Sequence, residues 1–485
     1  MLPNDPLSLS DRPLEMTGDE LRQLLDLVAP RLGEFLDALP RQPAWSEADP
    51  AGNAARFREP LPETGEPLPA LLDAIFAGVP TQGFNTAGPG YLAFIPGGGL
   101  PLAAVADLIA ATINRYVTVW QAAPAAAEME AAVVRWIGEM VGYPATAGGF
   151  LTTGSSLANW SAVVTARRCL LPDDFLSGTI YASDQTHHCV AKAAMLAGFP
   201  ERNVRLVPTD SQFRIDLAAL QSRIDGDRRN GRTPFLIVGN AGTTNTGAVD
   251  DLTQLGEAAE RNRMWLHVDA AYGGFFALTE RGRKVLRGIE RADSIALDPH
   301  KGLFLPFGTG ALLVRRPDDL ERAHRLDADY LPAMQTDGDR VDFCRISPEL
   351  SREFRGLRLW LAIKHYGIAA FRRQLDEKWD LARKAANALR KIDGIEIVAE
   401  PQLSLLAFRL KPPGINDPEE LNALNRRFLE RINASRRVML TGTLLRGSFV
   451  LRICVLSFRT HADRVDECLA AIREAAAGVS PVVRN

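Results

Sequence analysis

Between residues 148 and 314, short apolar runs and amphipathic stretches take turns along the chain. The runs GGFLT, GTIYAS, NVRLVP, FLIVGN, WLHVDA, SIALD and GALLVRR are each short enough for strands buried on both faces. Helical patterns separate them, after His187, over 217–224, from Asp250 and near Lys284. This alternation predicts βαβ units and a mainly parallel sheet with right-handed crossovers. Functional groups are then expected at the strand ends.

Upstream, leucines recur at helical spacing from Thr17 to about residue 39, with Thr17 as a cap and Glu20 three residues later. Residues 40–69 are rich in Pro, Ala and Glu without a period, which predicts an extended connector before a short helix over 70–78. An arm with one apolar face and no core of its own buries that face elsewhere. A second subunit of a symmetric homodimer is the expectation, and packing on its own subunit the alternative. The stretch GPGYLAFIPGGGLP, 88–101, is a Gly- and Pro-dense loop. Its Tyr91, Phe94, Ile95 and Pro96 are candidates to line a pocket for a flat apolar group; otherwise the glycines are only turns. A helix over 102–111, the segment INRYVTVWQAAP and an amphipathic helix over 125–141 follow, the last burying Met129, Val133, Trp136, Ile137 and Met140. Beyond the sheet, 326–351 is polar and aperiodic, hence a long loop. From residue 366 a charged helix, paired strands, a helix over 419–433 and a final helix predict a small α+β unit. The expected division is an N-terminal helical arm at 1–87, a large domain at 88–365 and a small domain at 366–485.

Composition narrows the function. Lys+Arg 56 against Asp+Glu 59, a net charge of −3, gives no basic excess for nucleic acid or anionic lipid. Cysteines 169, 189, 344, 454 and 468 form no C-x-x-C pair, so neither a disulfide framework nor a metal site is indicated. The start, MLPNDPLSLSDRP, lacks a basic region followed by an apolar core, and no apolar run reaches the ~20 residues of a membrane span. A cytoplasmic enzyme is expected.

The strand ends carry the chemistry. Asp269 closes WLHVDA, and Lys301, with His300 beside it, follows SIALD. At the carboxyl edge of an open α/β sheet, a carboxylate and an amine suit a cofactor with a pyridinium nitrogen and an aldehyde, namely pyridoxal phosphate. The run Thr-Thr-Gly-Ser-Ser at 152–156 opens a helix, where free N–H groups and the dipole favour phosphate. Gly154 permits close approach, while Ser155 and Ser156 add hydroxyls; plain serine capping is the equal alternative. His187 follows GTIYAS, placed to stack on a ring or else to serve structure. Thr243, Thr244, Asn245 and Thr246 offer short donors or a polar turn. Singly, Asp269 reads as a salt-bridged acid and Lys301 as an exposed amine. Their ordered set with the phosphate-type loop favours the cofactor.

HVDAAYGG with DPHKG, and most of the chain from LAFIPGG to LRICVLSFRT, resembles the pyridoxal-phosphate-dependent group II amino-acid decarboxylases. The resemblance implies fold type I, the aspartate-aminotransferase-like architecture, and a homodimer with a shared active site. It makes Lys301 the lysine bonded to the cofactor aldehyde, Asp269 the acid on the ring nitrogen and His187 the stacked imidazole. Ser155, Ser156 and Gly154 become phosphate contacts, and Ala271 the small residue under the ring. Arg452 resembles an arginine near the cofactor, or is a strand-edge charge. The implied reaction is decarboxylation of an L-amino acid, aromatic by preference. Counting back from FRGLRLW, the place of the family's lid tyrosine falls on Phe343, with Tyr330 earlier; relatives with Phe there convert amino acids to aldehydes with oxygen. Asp298 stands where many relatives carry Asn near the phosphate. Tyr116 and Thr118 stand where aromatic decarboxylases have apolar side chains reaching the partner's pocket. An aldehyde synthase and a non-catalytic paralogue are therefore the alternatives.

Overall fold

The computed structural model describes residues 14–46, 50–326 and 340–478. All seven apolar runs are strands: β1 Gly148–Thr152, β2 Gly178–Ser183, β3 Val204–Val207, β4 Thr233–Asn240, β5 Trp265–Asp269, β6 Ser294–Leu297 and β7 Gly310–Val314. They form one sheet in the order β1-β7-β6-β5-β4-β2-β3. The pairs β6–β5, β5–β4, β4–β2 and β2–β3 are parallel, while β7 is antiparallel to both its neighbours. The side chains of β2, β5, β6 and β7 are buried throughout, as unbroken apolar strands require when helices cover both faces.

One face of the sheet packs on Pro124–Val141, whose Val133, Val134 and Ile137 join Leu151, Ile237, Leu266 and Ile295 in a common core. The other face is covered by Ser155–Leu170 and Cys189–Leu196, which bury Ala158, Ala162 and Val190 on Phe150, Leu236 and Leu312. The sheet thereby fixes the strand ends, and with them the site, between two rigid layers.

The C-terminal unit has its own core. Strands β8 Ile395–Ala399, β9 Leu405–Leu410, β10 Thr441–Leu445 and β11 Ser448–Cys454 pair antiparallel in the order β8-β9-β11-β10. Three helices, Ile368–Leu389, Pro418–Ala434 and Ala462–Ala477, supply the apolar side chains that cover it.

At the other end, the helix Gly18–Ala38 begins with the reciprocal Thr17–Glu20 capping box and contains no buried residue. Within the stretch read as an extended connector lie a short helix, Pro50–Ala55, and the segment Trp45–Ser46, which pairs with Gly83–Phe84 further along. A six-residue helix without large apolar side chains and two-residue strands are too short to show a period. The helix Leu68–Gly78 follows.

Candidate active site

A cavity of about 340 Å³ opens at the carboxyl ends of β1, β2, β4, β5 and β6, where parallel strands leave side chains free of the ladder. Lys301, Asp269, His187, His300, Gly154, Ser155, Ser156 and Ala271 line it together. The Gly-rich loop reaches it from outside: a Cβ on Gly97 would lie 1.9 Å from the His300 carbonyl oxygen, so only glycine lets this loop rest against the Lys301 segment.

Lys301 Nζ lies 2.9 Å from Asp298 Oδ2. Asp298 Oδ1 accepts a 2.7 Å hydrogen bond from the Ser155 N–H, and His300 Nε2 lies 3.5 Å from Oδ2. Burial would raise the Asp298 carboxyl, but Lys301, His300 and the Ser155 N–H together bring it below the usual carboxylate range. Burial likewise works against the charged Lys301 amine, yet Asp298 and then Asp269 hold it above its ordinary value. His300 donates from Nδ1 to the Thr309 carbonyl at 2.7 Å. Burial lowers His187 below an ordinary imidazole against the pull of Asp269. Its Nδ1 accepts from the Cys189 N–H at 3.3 Å, which leaves the ring proton on Nε2.

The first turn of the 16-residue helix Ser155–Leu170 faces the cavity, and Ser155 Oγ is buried there without a hydrogen-bond partner. A buried hydroxyl left without a partner at the N-terminal, positive end of a helix fits an anionic phosphate. With the acid, the amine and the small Ala271, the residues present fit pyridoxal phosphate. Ser155, Ser156 and Gly154 would hold the phosphate, Asp269 the ring nitrogen and Lys301 the aldehyde.

Other expected site residues lie elsewhere. Asn245 turns away from the cavity: its Oδ1 accepts from Thr443 Oγ1 at 3.1 Å and its Nδ2 donates to Gln185 at 3.4 Å. Tyr91 is buried against Ala44, Ala93 and Met439, Pro96 is buried, and Ile95 packs on the main core. Phe94 is half exposed, Tyr116 is partly exposed, and Thr118 is buried with its hydroxyl donated to the Leu350 carbonyl at 2.5 Å. Within this chain none of these six lines the cavity. Arg452 is no strand-edge charge, since β11 is interior to its sheet; its guanidinium clasps the Asn245 carbonyl at 3.1 Å, the Thr244 carbonyl and Thr441 Oγ1 at 3.0 Å.

Phe343 also lies apart from the cavity. It opens the short helix Phe343–Ile346, is wholly buried among Phe150, Ala158 and Leu312, and carries the Arg352 guanidinium 4.9 Å over its ring. Arg352 is in turn paired with buried Glu130 at 2.5 Å. A side chain held this way is core and does not reach the cavity of this chain. Tyr330 lies outside the described residues.

The cavity also contains Thr153, Cys189, Asn240, Tyr272, Phe307 and Gly308, which the sequence did not single out, besides Gly242, Thr243 and Thr244 of the polar turn. Behind it stand Asn159 and His267. Asn159 follows Ser155 by four residues on the same helix, a spacing that marks it as a neighbour of the phosphate-type turn.

A cofactor cradle at the carboxyl edge of a mainly parallel sheet, with a lysine and an acid on successive strands, defines a pyridoxal-phosphate enzyme of fold type I. Residues 51–411 match the family described as the pyridoxal-dependent decarboxylase conserved domain. The chain is 33% identical over 468 residues to an aromatic-L-amino-acid decarboxylase of Bacillus atrophaeus, covering 96% of this chain and 98% of that protein. Among solved structures it is similar to a tryptophan decarboxylase of Oryza sativa, described as TDC with PLP and tryptamine, with a TM-score of 0.91 and 28% identity over 96% of this chain and 99% of that one. It also resembles a 4-hydroxyphenylacetaldehyde synthase of Rhodiola rosea, with a TM-score of 0.88 and 26% identity over 96% and 99%. The chain belongs to the pyridoxal-dependent decarboxylase family and is a pyridoxal-phosphate-dependent carboxy-lyase.

Proposed function

We propose that the protein decarboxylates an aromatic L-amino acid to its amine, as a homodimer in the cytoplasm. The observation that carries this is the meeting in one cavity of Lys301, Asp269 and the unpartnered Ser155 hydroxyl. When bound, pyridoxal phosphate supplies an electron sink for the pair left as carbon dioxide departs. The protein's part is to hold and orient. Asp269 presents a carboxylate to the ring nitrogen, the first turn of Ser155–Leu170 fixes the phosphate end, and Lys301 provides the amine.

Substrate class follows from the lining and the relatives. Besides the two histidines, Lys301 is the only cation among the described residues of the cavity wall, so nothing there meets a second, side-chain carboxylate. Phe307 contributes an exposed apolar ring at its rim. The relatives' aromatic and tryptophan names agree. The aldehyde reading rests on Phe343, which packs in the core and does not line the cavity of this chain.

A dimer would cover a large apolar surface. Val105, Leu108, Ile109 and Ile113 are exposed on Pro101–Ile113, as are Leu32 and Leu36 on Gly18–Ala38 and Leu71 and Ile75 on Leu68–Gly78. Contiguous exposure of this kind marks an interface. Among the described residues no helix is long and apolar enough to cross a membrane, and the five free cysteines suit a reducing compartment. The test is a panel of L-tryptophan, L-tyrosine, L-phenylalanine, L-glutamate and L-diaminobutyrate with the cofactor-loaded protein. Amine from the aromatic members is expected; turnover confined to glutamate or diaminobutyrate would contradict the substrate class.

A further inference from the structure

Asn159, His267, Ser294 and Trp265 are polar or part-polar side chains with at most 2% exposure. They form an unbroken hydrogen-bonded line behind Asp269. Asn159 Nδ2 donates to Asp269 Oδ2 at 3.0 Å and to Cys189 Sγ at 3.0 Å. His267 Nε2 lies 2.7 Å from Asn159 Oδ1, His267 Nδ1 lies 2.8 Å from Ser294 Oγ, and Trp265 Nε1 donates to that hydroxyl at 2.8 Å.

The direction of every bond follows from the chemistry. An Asn159 amide turned the other way would set its carbonyl oxygen against a carboxylate oxygen at 3.0 Å, so its nitrogen faces Asp269. Its oxygen then faces His267 Nε2, which must carry the proton. Nδ1 is therefore bare and takes the Ser294 hydroxyl proton, while the Trp265 N–H fills the serine oxygen. Only neutral histidine closes this line. A doubly protonated ring would leave the Ser294 hydroxyl proton without an acceptor in it. Burial independently holds His267 neutral, lowering it to about 4 against the pull of Asp269.

We propose that Asn159 is a positioning residue for the reaction: it ends a one-way chain of donors, Trp265 to Ser294 to His267 to Asn159, that fixes the Asp269 carboxylate as the acceptor for the cofactor's ring nitrogen. The Ala271 N–H holds the other carboxylate oxygen at 3.1 Å, so both oxygens are aimed while each keeps a lone pair for a donor in the cavity. Asn159 also joins the two ends of the site. It lies one turn beyond Ser155 on the helix whose first residues face the phosphate position, so phosphate end and nitrogen end share a single rigid element.

The inference rests on the assignment of Asp269 to the ring nitrogen, and the experiment separates the two. Full-length protein is loaded with ring-labelled pyridoxal phosphate, and the NMR resonance of the ring nitrogen is recorded for wild type, Asn159→Leu and Ser294→Ala. Wild type is expected to show a protonated nitrogen. Asn159→Leu should move the resonance toward the unprotonated value and weaken cofactor binding about tenfold. Ser294→Ala, which leaves Asn159 in place, should fall between. A wild-type nitrogen without a proton would overturn the Asp269 assignment and the chain with it. A protonated wild type with both variants unchanged would overturn the chain alone. If Asn159→Leu does not fold, Ser294→Ala decides by the same resonance, which loss of packing would not move.

Discussion

Asp298 holds Lys301 and the Ser155 N–H at once, and this double duty has kinetic consequences. Lysine attacks an aldehyde as the free amine, and the Asp298 carboxylate keeps Lys301 protonated to higher pH than an ordinary lysine. Asp298→Asn should therefore shift the pH dependence of covalent cofactor attachment, followed by absorbance, toward lower pH; an unchanged profile would show that Asp298 does not set the amine. At Phe343 the sequence and the structure part company. Phe343→Tyr is expected to cost about 1–3 kcal/mol in urea unfolding, from overpacking and a buried hydroxyl, while the product stays amine. A switch in product would restore the lid reading. Lys301, Asp269 and His187 could be brought to one cavity from sequence because each ends or closely follows a strand whose pattern is plain. The burial of Phe343 was not legible, because the aperiodic stretch before it has no strand or helix pattern from which to read packing.

The helix Ser155–Leu170 is the element on which the site turns, with its N-terminus toward the phosphate position and Asn159 behind Asp269. Ser155→Ala separates capping from phosphate binding, which sequence alone left open. The helix has no side-chain cap, and Ser155 Oγ has no partner. The substitution should leave the melting temperature of cofactor-free protein level or slightly raised. It should weaken cofactor binding about ten- to a hundredfold, the worth of a hydrogen bond to a charged group. A lower melting temperature with unchanged cofactor affinity would assign Ser155 to capping after all. The parallel strands could be read because apolar runs of strand length alternated with helices. The antiparallel course of β7 could not, since an unbroken apolar strand looks the same in either direction.

At the scale of the molecule, buried histidines govern the response to acid. Burial lowers His267 and His324 from 6.5 to about 4, and lowers His187 and His300 as well. The unfolded chain binds their protons near pH 6.5 and the folded chain does not, so the stability they allow is full above pH 6.5 and is lost as pH falls toward 4. Asp250, raised to about 6, and Asp293 oppose this, but four histidines outweigh two carboxyls. Urea midpoints of cofactor-free protein should fall from pH 7 to pH 5, with His267 alone contributing on the order of 3 kcal/mol over its full range; a flat profile would contradict the buried neutral state. The exposed apolar face was legible only as an arm without a core, because the face joins helices distant in sequence.

Loaded protein incubated under air with carboxyl-labelled L-tryptophan tests the central claim. Labelled carbon dioxide and tryptamine in equal amounts are predicted from wild type, and neither from Lys301→Ala. Aldehyde with ammonia and peroxide, or equal turnover by Lys301→Ala, would contradict it.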